Sequence, residues 1–510
     1  MKKILTGLFV LFLFRTCLSQ PVQQNWVNNS NNWQAQYRWI TLDNSGNIYV
    51  VGSGASMDSP FWTTLEKISP SGSTVYDYEI IDTPGLPVGI SFDSLFNEYI
   101  ACYYQGSWGP SSFSLCKYNS SGTRIWRTCE PIAQNDYASD MAGDRSGNSF
   151  VLRYKGGVNQ IVKYNSSGVS QTTFNISDTI NPQKILLDYQ NNIIILGSAG
   201  TASVVTIKYS SSFTRLWRST YVFSAGGPLF GSYKIKSGNN GNIFLLFQSN
   251  NPVSYSDYSV IKYNTSGIQQ WVSFYDYNHQ NDEPSSFKLD NSENVYITGS
   301  TGTVKFNSSG NLVWHDTTKY MRDITTDRFN NVYLTGSNTY STTGSDMLTV
   351  KLNSNGVRVW SISYNGSYGA GDAAYALVLD TALNVYVTGI SDYIPILQYD
   401  HSHGTTLKYS QPIGIKKISE SVPDKFSLSQ NYPNPFNPAT VINYRLPITN
   451  FVKLVIYDAP GREVAVLVNE KQQAGEYQVE WNASNYASGI YFYKLSTAEF
   501  TETKKMVLVK

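Results

Sequence analysis

Asp43-Asn44-Ser45-Gly46-Asn47-Ile48-Tyr49-Val50 joins a tight polar turn to the start of a strand. Asp and Asn side chains hydrogen-bond nearby backbone in such turns, Gly and Asn accept positive φ, and Ile-Tyr-Val suits a pleated sheet. Aligned on the last Asn, the unit recurs at Asn47, Asn97, Asn148, Asn192, Asn242, Asn294, Asn331 and Asn384. An acid stands four residues earlier in every copy, as at Asp43, Asp290, Asp327 and Asp380, except the copy at Asn242, where Gly238 stands. Successive copies lie 50, 51, 44, 50, 52, 37 and 53 residues apart, the period of propeller blades with unequal loops.

A second landmark alternates with the first: Lys117-Tyr118-Asn119-Ser120-Ser121-Gly122, then Trp126. Clear copies pair Gly267 with Trp271, Gly310 with Trp314 and Gly356 with Trp360; weaker ones are Gly72 with Tyr76, Gly168 with no aromatic, and Phe213 with Trp217. A degraded copy runs from Gln398, Tyr399 and Asp400 to Gly404. In each unit a strand ends near the Asp, a hairpin pair with positive φ turns the chain, and a strand such as Val332 to Gly336 returns. A longer loop, a strand such as Leu348 to Leu352, the Asn-Ser-Asn-Gly turn and the Trp360 strand follow. Four antiparallel strands make a blade, with the Trp as a wedge between blades that buries on the order of 200 Å². One blade cannot cover its own two faces, so the ring must close. Trp26 precedes the first Asp turn, and its strand has no blade of its own; the last blade has only Thr405 to Lys408 where a Trp strand is expected. The first strand is therefore expected to complete the last blade and leave no free edge. Eight blades are expected, with seven the alternative if the interval between Asn294 and Asn331 marks a merged unit.

The totals agree with an all-β chain. Its 510 residues exceed one ordinary core, and 14% aromatic content with 38 Tyr, 38 Gly and 15% charged residues favours sheets and tight turns. Lys2, Lys3, the apolar run Leu8 to Phe14 and the polar residues at Ser19 and Gln20 have the layout of a signal peptide, residues 1–19, with cleavage after Ser19. Arg15 and Thr16 beside Cys17 do not suit a lipoprotein signal. Removing Lys2, Lys3 and Arg15 from 38 basic residues leaves 35 against 37 acids, a net charge of −2 that gives no case for nucleic acid. No later stretch is apolar enough for a transmembrane segment. Of the remaining cysteines, Cys102, Cys116 and Cys129, at most one disulfide can form; Cys102 with Cys116 and three buried thiols are both open readings.

Residues 20–410 thus form the propeller, 411–425 a polar linker with Pro412, Lys416, Lys417 and Pro423, and 426–510 a second domain. Asn431-Tyr432-Pro433-Asn434-Pro435-Phe436-Asn437-Pro438 is neither helix nor central strand, because each Pro removes a donor and restricts its predecessor. Strands follow at Val441 to Leu446, Val452 to Tyr457, Val464 to Val468, Tyr477 to Trp481, Ile490 to Leu495 and Lys505 to Val509, with turns at Pro460-Gly461 and Ser488-Gly489. This is the pattern of a small Ig-like β-sandwich.

The Asp turn, Asn-Val-Tyr strand, Lys-Leu-Asn-Ser-x-Gly turn and Trp strand resemble the bacterial SBBP-type β-propeller repeat family over about residues 22 to 410, most specifically from Asp290 to Gly389. That family implies an architecture and no single activity. The Gly-x-x-x-Trp element also looks like the docking element of eight-bladed quinoprotein dehydrogenases, whose vicinal cysteine pair is absent. The tail resembles the type A sorting domain of the type IX secretion system of Bacteroidota. The carrying residues are Asn434, Pro435, Asn437 and Pro438 of the lead-in, the Val455 to Arg462 turn with Gly461, Ala487 to Phe492 with Gly489, and the terminal run from Lys504 and Lys505 to Lys510. The resemblance implies partnership with the type IX machinery, passage across the outer membrane, and a final place in the medium or on the outer cell surface.

No Gly-x-Ser-x-Gly elbow, His-Glu-x-x-His helix or phosphate loop occurs. Among His279, His315, His401 and His403 only the last two are close, without carboxylate or Cys partners, so an exposed turn is expected there rather than zinc. Alternating oxygens at Asp43, Ser45 and Asn47 suit Ca²⁺, but the turn lacks the Gly and closing Glu of the helix-loop-helix form, and Asx-turn bonds account for it without metal. No cofactor is expected. Three function classes remain: a non-catalytic binding or scaffold module for an unidentified glycan or protein, a polysaccharide hydrolase or lyase with carboxylates drawn from different blades, and a quinone-dependent dehydrogenase.

Overall fold

The computed structural model describes residues 22–509 apart from 34, 57–58, 81–84, 105–110, 134, 224–226, 229–232, 252–254, 341–343, 368–369, 394–401, 412–415, 420–421 and 484–485. The expected leader, His401, and Gln398 to Asp400 lie outside the described residues. Eight antiparallel sheets succeed one another from residue 36 to residue 410. Blade 7 is typical: Met321–Thr326, Val332–Tyr340, Gly344–Leu352 and Arg358–Tyr364 pair in chain order. Blade 8 takes three strands from the end of the ring, Gly371–Leu379, Val385–Tyr393 and His403–Ser410, and its fourth, Gln23–Trp33, from the start. Trp26 faces Lys408 across that last pairing as Trp360 faces Lys351 in blade 7. Thr405 to Lys408 lies in the third strand of the blade, not at the place of a Trp strand. The short interval after Asn294 conceals no lost unit. Blade 6 is complete but trimmed, with strands of 6, 5, 4 and 5 residues.

Each junction between neighbouring blades has its own apolar cluster, eight around the ring, and the alternation of strand side chains explains why. Val295 and Ile297 pack with blade 5, while Tyr296 between them packs with blade 7. A middle strand is therefore apolar on both faces, and Ile193–Ser198 and Ser203–Tyr209 are buried at every position. The first strands of neighbouring blades lie against one another around the axis and keep half-exposed side chains there. Most carry a β-bulge at one shared place, such as between Pro284 and Ser286 or Met321 and Asp323. The bulge explains the Gly that closes the Val-Tyr-x-Thr-Gly strand: a Cβ at Gly299 would sit 2.0 Å from the Glu283 carbonyl oxygen.

The tail is a sandwich of two four-stranded sheets. One holds Ser427–Leu428, Ala439–Leu446, Gly475–Asn482 and Lys416–Ser419; the other holds Glu463–Gln472, Asn450–Asp458, Gly489–Ser496 and Thr501–Leu508. Their core closes around Trp481, Ile442, Val479 and Tyr493. Two parts of the expected linker are structured. Gln411 belongs to the ring, and Lys416–Ser419 is an edge strand of the sandwich on Gly475–Asn482. Lysines on a short edge strand deter further pairing, which is why the segment has the composition of a linker.

Candidate functional site

The repeated acids hold hairpins. Asp43 Oδ1 accepts the backbone N–H groups of Ser45 and Asn47, each at 2.9 Å; Oδ2 accepts Asn47 Nδ2 at 2.7 Å and the Tyr49 hydroxyl at 3.3 Å. Asp290 with Asn294 and Tyr296, Asp327 with Asn331 and Tyr333, and Asp380 with Asn384 and Tyr386 repeat this. One residue per turn takes positive φ, among them Gly46, Asn330 and Leu383, instead of the expected pair. The loop is a type I turn followed by one left-handed residue, closed by Gly46 N–H donating to the Asp43 carbonyl. A lysine of the third strand lies over the Tyr ring, Lys67 over Tyr49 at 4.7 Å, and approaches the acid, Lys208 to Asp188 at 2.8 Å. Burial raises the Asp188 carboxyl, but Lys208 and Asn192 outweigh it and hold the group below the usual range. Of the oxygens considered for Ca²⁺, those of Asp43 are thus turned onto N–H, O–H and ammonium donors.

The copy without the acid is repaired from the next blade. Glu293, itself in the turn of blade 6 at φ 60°, reaches back so that Oε2 accepts Asn242 Nδ2 and meets Lys262 Nζ, both at 2.8 Å. A Cβ on Gly238 would lie 2.3 Å from that carboxylate. The missing side chain at Gly238 leaves the space that the Glu293 carboxylate fills.

The aromatic at each fourth strand docks on the next blade. Trp217 donates Nε1–H to the Thr265 carbonyl at 3.0 Å, and its ring leaves no room for a Cβ on Gly267, which has φ +77°. Trp126 docks likewise on Gly168 and Ser166, Trp271 on Gly310 and Ser308, and Trp314 on Gly356 and Ser354. All four remain half-exposed, so the wedge is one-sided. Gly168 has no aromatic four residues on, and the next blade answers with Phe213 in place of Gly; Phe174 stacks on it at 5.0 Å. Among the described residues Trp360 meets no such turn in blade 8, and the side chain of Gln411 takes its place: Oε1 accepts Trp360 Nε1–H at 3.3 Å and Lys351 Nζ at 2.8 Å.

The remaining polar groupings tie loops. Asp257, Asp276 and Asp282 bring oxygens within 4.8 Å of one another. Asp282 accepts Tyr277 N–H at 2.7 Å and the Thr301 hydroxyl, and Asp276 pairs with His279 at 2.8 Å. Asp372 holds the backbone N–H groups of Gly366 at 2.8 Å and Asp392 at 2.7 Å; burial, with Asp392 and Asp346 near, pushes its carboxyl up to about 6. His315 meets the Tyr275 hydroxyl at 3.1 Å, and His403 begins a strand rather than lying in a turn. Cys102, Cys116 and Cys129 are not in disulfides, the first two buried and Cys129 exposed; Cys102 faces Ser114, not Cys116, across its hairpin, and burial pushes its thiol up to about 11.

The axial channel has a charge of its own. Its first strands contribute Arg38, Lys184, Lys234, Lys236, Lys288 and Arg322 against Asp140, Asp323 and the loop-tying Asp372. Asp140 accepts Ile185 N–H at 2.9 Å and pairs with Lys184 at 3.5 Å. Asp323 accepts the Ser286 hydroxyl at 2.8 Å and Leu377 N–H at 3.1 Å, so both acids stitch blades together. At the bulge level Tyr375 lies between two guanidinium groups, Arg38 at 5.1 Å and Arg322 at 4.7 Å. Among the described residues no carboxylate lies within ion-pair distance of Lys234, Lys236 or Lys288. Burial and the neighbouring Lys184 lower the ammonium pKa of Lys234; burial and Lys288 lower that of Lys236. These cations were missed in the sequence although part of their signal was there: counting back four residues from Asp144, Asp188, Asp290 and Asp327, or from Gly238, lands on Asp140, Lys184, Ser286, Asp323 and Lys234, while the other three turns give Trp39, Gly89 and Ala376.

In the tail, the sorting residues fasten the lead-in to the last strand. Asn434 Oδ1 accepts Val507 N–H at 3.0 Å, Phe436 N–H donates to the Val507 carbonyl at 3.0 Å, and Phe436 packs on Trp481. Gly461 takes φ 85° in a turn where Asp458 accepts Arg462 N–H at 2.8 Å, while Lys504 pairs with Glu502 at 3.0 Å. Pro435, Asn437 and Pro438 complete the lead-in, Gly489 opens Gly489–Ser496, and Lys505 is exposed.

Residues 430–510 match the family described as the secretion system C-terminal sorting domain. The chain is accordingly exported, to the cell surface or the medium, through the secretion machinery that this domain engages. Among solved structures, PorZ of the type IX secretion system of Porphyromonas gingivalis is similar at 15% identity, covering 91% of this chain and 68% of that one, with a TM-score of 0.38. Virginiamycin B lyase from Staphylococcus aureus matches at 13% identity over 64% of this chain and 95% of that one, TM-score 0.40, and YCF48 bound to D1 peptide at 10% over 64% and 93%, TM-score 0.39. Likenesses at this level carry no argument about function. No curated protein matches the chain.

Proposed function

We propose that this is an SBBP-type repeat propeller carried outward by the type IX route, and that its ring is a non-catalytic binding or scaffold module for a glycan or a protein. The observation that supports it is where the polar residues are spent. Repeated Asp, Asn, Lys and Trp side chains hold hairpins and blade joints, and the grouped carboxylates hold loop N–H groups. That is the economy of a scaffold, and it calls for no cofactor.

The exported chain is to be tested on glycan and protein arrays and, in parallel, for turnover of plant and microbial polysaccharides. Binding without turnover is the expected result; turnover would favour the hydrolase or lyase reading, and silence on both arrays would count against a binding role. For the tail, deleting residues 426–510 is expected to hold the ring in the periplasm, as read by fractionation, and normal release would refute the sorting role.

A further inference from the structure

We propose that the axial channel is an oxyanion site, taking one phosphate, sulfate or carboxylate group at Lys184, Lys234, Lys236 and Lys288. The proposal concerns the axis alone and holds whether the ring's faces bind a ligand or turn one over. Lys234 and Lys236 project from one inner strand of blade 5, between Lys184 of blade 4 and Lys288 of blade 6. Four ammonium groups on three consecutive blades repel one another, and two acids offset only part of that charge: Asp140, bonded to Ile185 N–H, pairs with Lys184, and Asp323, bonded to Ser286 and Leu377 N–H, is out of ion-pair reach of Lys234 and Lys236. Lys234 and Lys236 touch water yet are surrounded by protein, Lys236 over the Phe287 ring at 5.5 Å, where a partly compensated charge is costly. An anion on the axis removes that cost. It would be held by charge-assisted hydrogen bonds from groups fixed on a sheet, so little ordering is left for the moment of binding. Arg38 and Arg322 add two cations at the bulge level, stacked on Tyr375.

The size of the ligand follows from the charge of the whole chain. Outside the expected leader 35 Lys and Arg stand against 37 Asp and Glu, so the overall charge adds nothing to the cations of the axis, and these suit one small acidic group rather than a polyanion wrapped over the surface. Two sources offer such a group: a free inorganic anion, or the acid function of an acidic sugar.

Calorimetric titration of the full exported chain distinguishes them. Inorganic phosphate, sulfate and galacturonate are added at constant ionic strength balanced with chloride, with galactose as the neutral control. Saturable one-to-one binding of an oxyanion and none of galactose is expected. Tighter phosphate or sulfate identifies the free ion, and tighter galacturonate the acidic sugar. Lys234→Met and Lys236→Met should each weaken binding about tenfold and should raise the melting temperature of the ligand-free protein, because a repelled cation has been removed. Arg322→Ala, at an exposed position with no role in the core, is the variant that tests the same site without risk to folding and should weaken binding by a smaller factor. Absence of saturable oxyanion binding, or affinity unchanged in all three variants, would overturn the proposal.

Discussion

Glu98 occupies the first position of a blade's second strand, which Ile48, Val295 and Val332 fill elsewhere, and it shows what one departure from a repeat costs. It is fully buried in blade 2, and Oε1 accepts at 2.9 Å the hydroxyl of Tyr76 from blade 1, where Tyr stands in the docking position that Trp fills in most other blades. Burial pushes its carboxyl from the usual 4.5 up to about 8, against the pull of Tyr76 and Lys67. Because the folded chain then binds the proton more tightly than the unfolded chain, this residue's contribution is favourable below about pH 4.5 and is lost as pH climbs toward 8. Glu98→Gln keeps an acceptor for Tyr76 and removes the charge. It should stabilise the ring by roughly 2 kcal/mol at pH 8.5 and give no gain at pH 4.5, as measured by urea unfolding at the two values. An equal gain at both would show that the carboxyl does not titrate in the fold.

At the scale of the turn and the blade, Gly238 and Glu293 make a sharper case. Glu293→Ala leaves Asn242 without its acceptor and Lys262 with the Ser308 carbonyl at 3.4 Å in place of a carboxylate, and should destabilise by about 1–3 kcal/mol. Gly238→Asp alone crowds a second carboxylate against Glu293 and should also destabilise. The double variant Gly238→Asp with Glu293→Gly rebuilds the turn of the other blades, relieves a left-handed Glu, and should unfold at or above the parent midpoint; a simple sum of two losses would refute the exchange. The pair also marks where sequence reading stops. Asp43 to Asn47 and Gly267 to Trp271 are legible because turn chemistry is local and recurs. The service Glu293 performs for a turn 55 residues away is not, since the strands between them set the distance. Gln411 is hidden for the same reason: it replaces a backbone carbonyl, which has no residue type to recognise. Lys416–Ser419 has the composition of a linker because edge strands are polar. Lys184 and Lys234 lie on a periodic position and Lys236 and Lys288 two residues beyond it, but periodicity alone does not say that these positions face an axis.

The molecule as a whole depends on its first strand. Without Gln23–Trp33, blade 8 would keep three strands, and the ladder groups of His403–Ser410 would face solvent as an open edge. The strand is bound on both sides of the joint. Val27 packs with the blade 7 and 8 cluster, Trp26 with Tyr37 and Tyr386, and Asn28 donates to the Gly72 carbonyl at 3.2 Å and to Thr74 at 2.8 Å in blade 1. It therefore joins the two blades that have no other covalent order between them, which in a ring of weak neighbours governs cooperativity. A protein beginning at Gln36 should melt at lower temperature, in a broadened transition, and should self-associate through the freed edge, as read by calorimetry and sedimentation. A synthetic peptide of residues 22–33 added in excess should restore the sharp transition, with a melting temperature that rises with peptide concentration as binding linkage requires. If the shortened protein stayed monomeric and melted as the parent does, closure by the first strand would not be what holds the eight blades together.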